Sequence, residues 1–516
     1  MKASSHIFIA STGKSSSASL REHRLSASLK SVAGASAFAA MLLIAAAPTP
    51  AASGSRADPP ETPPSHRAAI GKEAPQAKPI DWDKITQEAT DFLSKYIRID
   101  TTNPPGNELP AAKLLKEKFL ADGIPATTWE PVPGRGIITA RLHGIGKHNK
   151  AILLLSHMDV VPAEPKEWQE PPFSGLVKDG QLWGRGTLDD KGPGVIDLMA
   201  MLAIKRAGIL LDRDVLFVAT GDEEEGGKLG AGWFIDHQPN VYSDAGYVLN
   251  EGGGILIEKN GKKVYAVSVA EKTPLWLRLT ATGPAGHAAA PPAETAVGEL
   301  VRALQKLIEY RTSVRVLTIV QNSMHEISLL TDGPRQFLDL STSLKDPAYQ
   351  KQFLAVPGQN AMVRDTITPT VLGASEKTNV IAPTAYAEVD CRLLPGTDPK
   401  AFLAAIRKVV ADDNIKIDVL LNFPPVSSPQ KTELMTAIET LARRDDKAPV
   451  VATMTSGFTD SHYFRQKKII AYGFVPIATT VGEPHGVHGV NEHIDLKELG
   501  RAIQRTAELL EILGGR

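Results

Sequence analysis

From about Asp81 onward the chain carries short, nearly continuous apolar runs at residues 151–155, 215–219, 247–249 and 469–472. Runs of this length without polar alternation predict strands buried on both faces, as in a parallel sheet. Helical spacing lies between them at residues 194–206 and 229–236, so the alternation predicts an α/β sandwich with helices on both faces. The period changes between about residues 273 and 394. Leu275, Leu277 and Leu279 alternate with Trp276, Arg278 and Thr280, and Ala387, Val389, Cys391 and Leu393 alternate with Glu388, Asp390 and Arg392. Period two marks antiparallel strands with one face buried. Between them Val297, Leu300, Val301, Leu304 and Ile308 recur at helical spacing. A small α+β domain inserted into the α/β one is predicted, with the chain returning near Pro395. No internal repeat, P-loop or GxGxxG is present.

The beginning of the chain has a different texture. Lys2, Lys14, Arg21, Arg24 and Lys30 precede an apolar run over 32–47, about sixteen residues, short of the roughly twenty that span a bilayer. It ends in small residues, Ala45-Ala46-Ala47 and then Ala51-Ala52, as a signal peptidase requires. Residues 1–52 are therefore expected to be a signal peptide, with an uncleaved anchor as the alternative. The basic leader is long enough that translation could start downstream of Met1. No cysteine stands just after the run, which excludes a lipoprotein anchor. Residues 53–80, rich in Pro, Ala and Ser, read as a disordered linker. The expected layout is then a catalytic domain in two parts, 81–273 and 395–516, around an inserted lid at 274–394. The protein is expected to be periplasmic or secreted, without stable membrane insertion once the signal is cleaved.

Composition narrows the chemistry. The 57 Lys plus Arg and 58 Asp plus Glu give a net charge of −1, which argues against a nucleic-acid partner. The single cysteine, Cys391, excludes an internal disulfide framework, a thiolate zinc site and an iron–sulfur cluster. Catalysis must come from His, Asp, Glu and main-chain groups.

Those residues fall where the strands end. The run at 151–155 leads into Ser156-His157-Met158-Asp159, that at 215–219 into Asp222-Glu223-Glu224-Glu225-Gly226-Gly227, and that at 247–249 into Asn250-Glu251-Gly252-Gly253. A fourth cluster, Gly184-Arg185-Gly186-Thr187-Leu188-Asp189-Asp190-Lys191-Gly192, opens a helix. Taken singly, these are ordinary surface pairs, solvated helix starts or glycine turns. Ligands in open α/β sheets bind beyond the carboxyl ends of strands, so the four should converge. That many carboxylates together repel unless a cation joins them, and imidazole with carboxylate and no thiolate suits a pair of zinc ions.

With these strings the sequence resembles the co-catalytic zinc aminoacylase/carboxypeptidase metallopeptidases, among them glutamate carboxypeptidase, succinyl-diaminopimelate desuccinylase and carboxypeptidase S. Further matching strings are residues 283–291, 379–392 and 488–492, and the early Tyr96-Ile97-Arg98-Ile99-Asp100-Thr101-Thr102-Asn103-Pro104-Pro105-Gly106-Asn107-Glu108 is similar to the family's N-terminal signature. The resemblance covers essentially everything after the linker. It implies a zinc-exopeptidase α/β/α sandwich with a ferredoxin-like lid and two zinc ions per subunit, and it allows a homodimer through the lid. By position, His157, Asp189, Glu224, Glu251 and His488 resemble the metal ligands, with Asp189 as the bridge and Asp190 its neighbour. Asp159 matches the acid that orients His157, and Glu223 the general base. A one-residue shift to Glu224 and Glu225 fits the following Gly-Gly less well. Some relatives carry Asp where this chain has Asn250, and an amide is a poor zinc ligand, which moves that role to Glu251. His485 and His493 are expected at the rim.

The resemblance further implies that His287 donates to the developing oxyanion and that Asn379 and Arg392 receive a free α-carboxylate, a group that suits a guanidinium fork. If lid residues complete the site, domain closure precedes chemistry. The expected activity is hydrolysis of an amide beside a free carboxylate, closest to the carboxypeptidase S branch, on peptides or N-acyl amino acids as small-molecule substrates. An aminoacylase or dipeptidase on the same scaffold is the alternative, and a non-catalytic peptide binder is a further one that an intact Glu223 and ligand set disfavour. No Gly-x-Ser-x-Gly elbow supports a serine hydrolase.

Overall fold

In the computed structural model, which describes residues 77–146, 150–258, 261–331, 333–480 and 486–515, the four apolar runs become neighbouring strands of one sheet. Val215–Thr220, Ala151–His157, Ala245–Asn250 and Ile470–Gly473 lie side by side, each parallel to the next. Every residue of the first three is buried, the reason they show no polar alternation. Antiparallel Ile137–Leu142 and Ala126–Trp129 extend one edge, and Lys263–Glu271, Gly254–Ile257, Ala478–Thr480 and Val450–Thr455 complete ten strands at the other.

Long helices, among them Trp82–Ile97, Lys191–Ala207 and Leu496–Leu513, bury Leu93, Met199, Leu202 and Leu510 in one core with Ile152 and Phe217 of the sheet. Shorter helices carry Phe234, Tyr242 and Phe464 into a second core with Leu153, Leu155 and Val218. The helix expected over 229–236 is instead a wide turn, Lys228–Gly232, running into Trp233–His237. Gly230 explains this: a Cβ there would lie 1.7 Å from the Gly221 carbonyl oxygen, so its backbone is pressed onto the sheet and leaves helical geometry.

The alternating segments form a separate antiparallel sheet, Thr366–Gly373, Thr384–Leu393, Thr273–Thr282 and Ile415–Asn422 in that order. Helices Ala296–Glu309 and Pro399–Val410 cover its apolar face, sealing Leu277, Leu279, Val389 and Cys391. This is the split β-α-β arrangement of a ferredoxin-like lid. Two expected limits are corrected. The lid does not end at residue 394, because Ile415–Asn422 supplies its fourth strand and Phe402 and Ile406 belong to its core. Nor is everything between 274 and 394 lid. Thr318–Thr331 and the short helices up to Pro357–Val363 bury Val320, Leu340, Phe353 and Val363 against the larger domain. The chain therefore passes between the two domains four times, after residues 271, 309, 363 and 422.

The expected signal peptide (1–52) and residues 53–76 of the expected linker lie outside the described residues. Residues 77–80 run along the larger domain, the Lys78 N–H donating to the Ala207 carbonyl at 2.9 Å. Among the described residues no helix is long and apolar enough to cross a membrane.

Candidate metal centre

His157 is the last residue of its strand, Glu251 directly follows Ala245–Asn250, and Glu223–Glu225 is a single 3-10 turn just past Val215–Thr220. These strands are adjacent and parallel, so their carboxyl ends open one crevice. Asp189 enters it from the turn before Lys191–Ala207, and His488 from the loop before the last helix, in a left-handed conformation with φ 53°.

Asp189 is the centre of the arrangement. Its Oδ1 lies 3.0 Å from His157 Nε2 and its Oδ2 lies 3.0 Å from His488 Nε2. Glu251 Oε1 approaches the same nitrogen of His157 at 3.7 Å, and Glu224 Oε2 approaches that of His488 at 3.2 Å. Two groups of potential ligands result, His157–Asp189–Glu251 and Asp189–Glu224–His488, each with its donor atoms within 4.8 Å of one another. Glu223 stands beside both, its Oε2 4.0 Å from His157 Nε2, and forms a third group with His157 and Glu224.

The charges are mismatched in the way a cation site is. Burial, then the facing Glu251, pushes Glu223 well above the usual carboxyl range, and burial together with Asp189 does the same to Glu251. Burial also raises Glu224, against the pull of His488. Burial would raise Asp189 too, but the two imidazoles outweigh it and hold its carboxyl low. Asp189 and Glu224 in turn push His488 up to about 10. Two imidazoles and several carboxylates converging without thiolate fit divalent zinc. Glu224 Oε1, buried with no hydrogen-bond partner among the described residues, is an acceptor of the kind a metal satisfies.

A supporting layer holds these side chains. His157 Nδ1 lies 2.9 Å from the Asp159 carbonyl and 3.4 Å from its Oδ1, partners that keep the proton on Nδ1 and free Nε2. The fully buried Asp159 carboxylate also accepts the backbone N–H groups of Glu223 at 3.1 Å and Glu224 at 3.2 Å. Glu492, equally buried, accepts from Arg185 at 2.7 Å and from the amides of Gly186, Leu188 and Asp189 at 3.1, 2.8 and 3.1 Å, shaping the loop that presents Asp189. Glu492 stands in a string the sequence singled out, yet nothing in sequence assigns it this task. Asp222, in the acidic string but with no task assigned there, belongs to the same layer, as does its partner Arg135, which carries no pattern signal at all.

The alternatives separate by position. Glu225 is exposed and in none of the three groups, whereas Glu223 and Glu224 are in them. The Asn250 amide donates to Ser461 Oγ at 3.0 Å. His493 stacks on Trp183 at 4.6 Å and also lies outside the groups, while His485 is outside the described residues. The lid residues stand apart from the cluster. His287 and Asn379 are exposed, His287 on a two-stranded ribbon with Val380–Ile381 and Asn379 in the turn just before it, its carbonyl accepting the Ala288 N–H at 3.1 Å. Arg392 pairs with Asp390 at 2.8 Å and lies over the rings of Phe458 and Trp276.

Known proteins share this plan. The human protein named N-fatty-acyl-amino acid synthase/hydrolase PM20D1 is 31% identical over 376 residues, 70% of this chain and 73% of its own. Probable carboxypeptidase S-like 2 of Dictyostelium discoideum is 28% identical over 436 residues, 80% and 78% of the two chains. The fold is that of a solved M20 family metallo-carboxypeptidase, Sso-CP2 from Sulfolobus solfataricus, with a TM-score of 0.66 at 20% identity over 83% of this chain and 99% of that one. Peptidase family M20/M25/M40 matches residues 153–512, a span that contains all six converging side chains. A match of that extent makes this chain a member of the M20/M25/M40 peptidases, a hydrolase acting on amide bonds.

Proposed function

We propose that the protein is an exported, two-zinc hydrolase that cleaves an amide bond beside a free carboxylate, on peptides or N-acyl amino acids. The observation that carries this reading is Asp189, whose two oxygens serve two separate ligand groups. Zinc bound there would polarise a carbonyl and make water a nucleophile near neutral pH. Glu223, beside both groups, takes the proton from the attacking water on its carboxylate and delivers it to the departing nitrogen. Asp159 keeps His157 and the Glu223–Glu224 backbone in place throughout. His287, Asn379 and Arg392 reach the substrate when the lid closes, His287 donating to the carbonyl oxygen and Arg392 exchanging Asp390 for the substrate carboxylate.

A second reading narrows the substrate to N-acyl amino acids, favoured by the 31% identity to a protein named for that activity. Dipeptides, longer peptides and N-acyl amino acids of increasing chain length, tested with and without chelator, decide between them. Hydrolysis of N-acyl amino acids but of no peptide selects the second reading, and turnover that survives complete metal removal ends both. Glu223→Gln should keep its metal and lose roughly 100- to 10,000-fold in kcat.

Assembly through the lid belongs to the same proposal. Ile415–Asn422 is an edge strand, and Val297, Val301 and Ile308 form an exposed apolar stripe on the adjacent lid helix. Sedimentation should give twice the mass of a single processed chain. Export is tested by N-terminal sequencing of protein recovered outside the cytoplasm, with cleavage expected close to residue 52.

A further inference from the structure

The stretch from Thr101 to Glu108 precedes the family match, which begins at residue 153, and supplies no candidate ligand. It is nevertheless built into the floor of the centre. Thr101 Oγ1 donates to the Met158 carbonyl at 2.6 Å, and the Asn103 N–H to the Val160 carbonyl at 2.9 Å, so the segment runs beside the residues flanking Asp159. The Asn103 amide then does two things. Its Nδ2 donates to Asp159 Oδ2 at 2.8 Å, and its Oδ1 accepts from Arg135 Nη1 at 3.1 Å.

Arg135 is 5% exposed and spends its whole fork inward. Nη1 also reaches the Pro105 carbonyl, Nη2 pairs with Asp222, and Nε lies 3.3 Å from Glu108 Oε2. The space is shaped for it: a Cβ on Gly106 would fall 1.5 Å from Arg135 Nη1, and one on Gly221 would fall 2.6 Å from Glu108 Cδ. Asp222 in turn is left-handed, φ 71°, a conformation that costs a non-glycine residue energy and persists where partners over-determine it. Its partners are Arg135 and the Leu229 N–H, the latter at 2.7 Å. The next two residues are Glu223 and Glu224, whose amides are held by Asp159.

We infer that Asn103 and Arg135 are positioning residues that aim Glu223 and Glu224, Asn103 through Asp159 and Arg135 through Asp222. Neither touches the reacting atoms. The inference rests on the proposed roles of the two glutamates, and the test separates the two ideas.

Asn103→Ala and Arg135→Lys, the second keeping the charge but not the fork, are compared in the full chain with Glu223→Gln. Zn2+ affinity is measured by competition with a chelating dye. Turnover is measured on the best substrate of the panel above, and unfolding is followed on the zinc-free proteins. Partners of this kind set ligand geometry, so kcat or Zn2+ affinity should fall ten- to a hundredfold with KM within about twofold of the parent. Asn103→Ala decides alone if Arg135→Lys does not fold. The inference is overturned if kcat and Zn2+ affinity stay within twofold of the parent. It is equally overturned if the loss disappears when activity is assayed well below the variant's unfolding midpoint, which would make the role structural only. If instead Glu223→Gln retains full turnover, the reading of the glutamates fails, whatever the other variants do.

Discussion

Asp189 offers one oxygen to each histidine, so changes around it should have unequal effects on metal content. Asp189→Asn weakens both ligand groups, whereas Glu251→Ala touches only the His157 group and Glu224→Ala only the pair of groups it enters with Glu223 and His488. Metal analysis after dialysis should find close to none retained in Asp189→Asn and about one ion in Glu251→Ala. Two ions retained in Asp189→Asn would remove the bridge from the account. Glu108 gives a pH dependence of its own. Burial, reinforced by Asp159 and opposed by Arg135, pushes it up to about 7 from an ordinary value of 4.5. Between those values the folded chain holds a proton that the unfolded chain has released, so the stabilisation is complete below about pH 4.5 and is lost as pH rises through 7. Glu108→Gln cannot lose it. The stability of the parent relative to this variant should therefore fall from pH 5 to pH 7, and a constant difference would show that Glu108 does not titrate there.

At the level of elements, the two domains keep separate cores, one holding Leu279 and the other Leu202. Leu279→Ala should cost about 2–5 kcal/mol in the lid and speed hydrogen exchange of the lid amides. Exchange in Lys191–Ala207 and the Zn2+ affinity should stay as in the parent. The same separation explains what could be read in advance. The four central strands were legible because burial on both faces leaves an unbroken apolar run, and the acidic clusters because they follow those runs directly. The fourth lid strand was not. Ile415 and Ile417 alternate with polar residues, but Val419 and Leu420 are 45% and 44% exposed, which breaks the period, and the register to Thr273–Thr282 shifts between Trp276 and Leu277. The helices between residues 318 and 363 were equally opaque, since an apolar helix face looks the same whichever core receives it. Arg135 lies in a turn of Pro and Gly, and its worth comes from partners 27 and more positions away in either direction, at Glu108 and Asp222.

For the molecule as a whole, the centre is a site where like charges are gathered before the cation arrives, so metal and fold should be tightly linked. Zinc at a hundred times its dissociation constant should stabilise the chain by about 2.7 kcal/mol per site. Thermal unfolding with and without chelator measures this, and an unchanged midpoint would mean that the ligand groups do not bind. The pattern of crossings between the domains has its own outcome. Lys272, on the first crossing, donates to the Arg364 carbonyl at 2.9 Å and to Thr366 Oγ1 at 3.1 Å on the third, lashing two of the four together. A body hung from a single pair of threads can swing freely and is released when both are cut. This one is moored at four points, so a protease that nicks any one of them leaves both pieces in place.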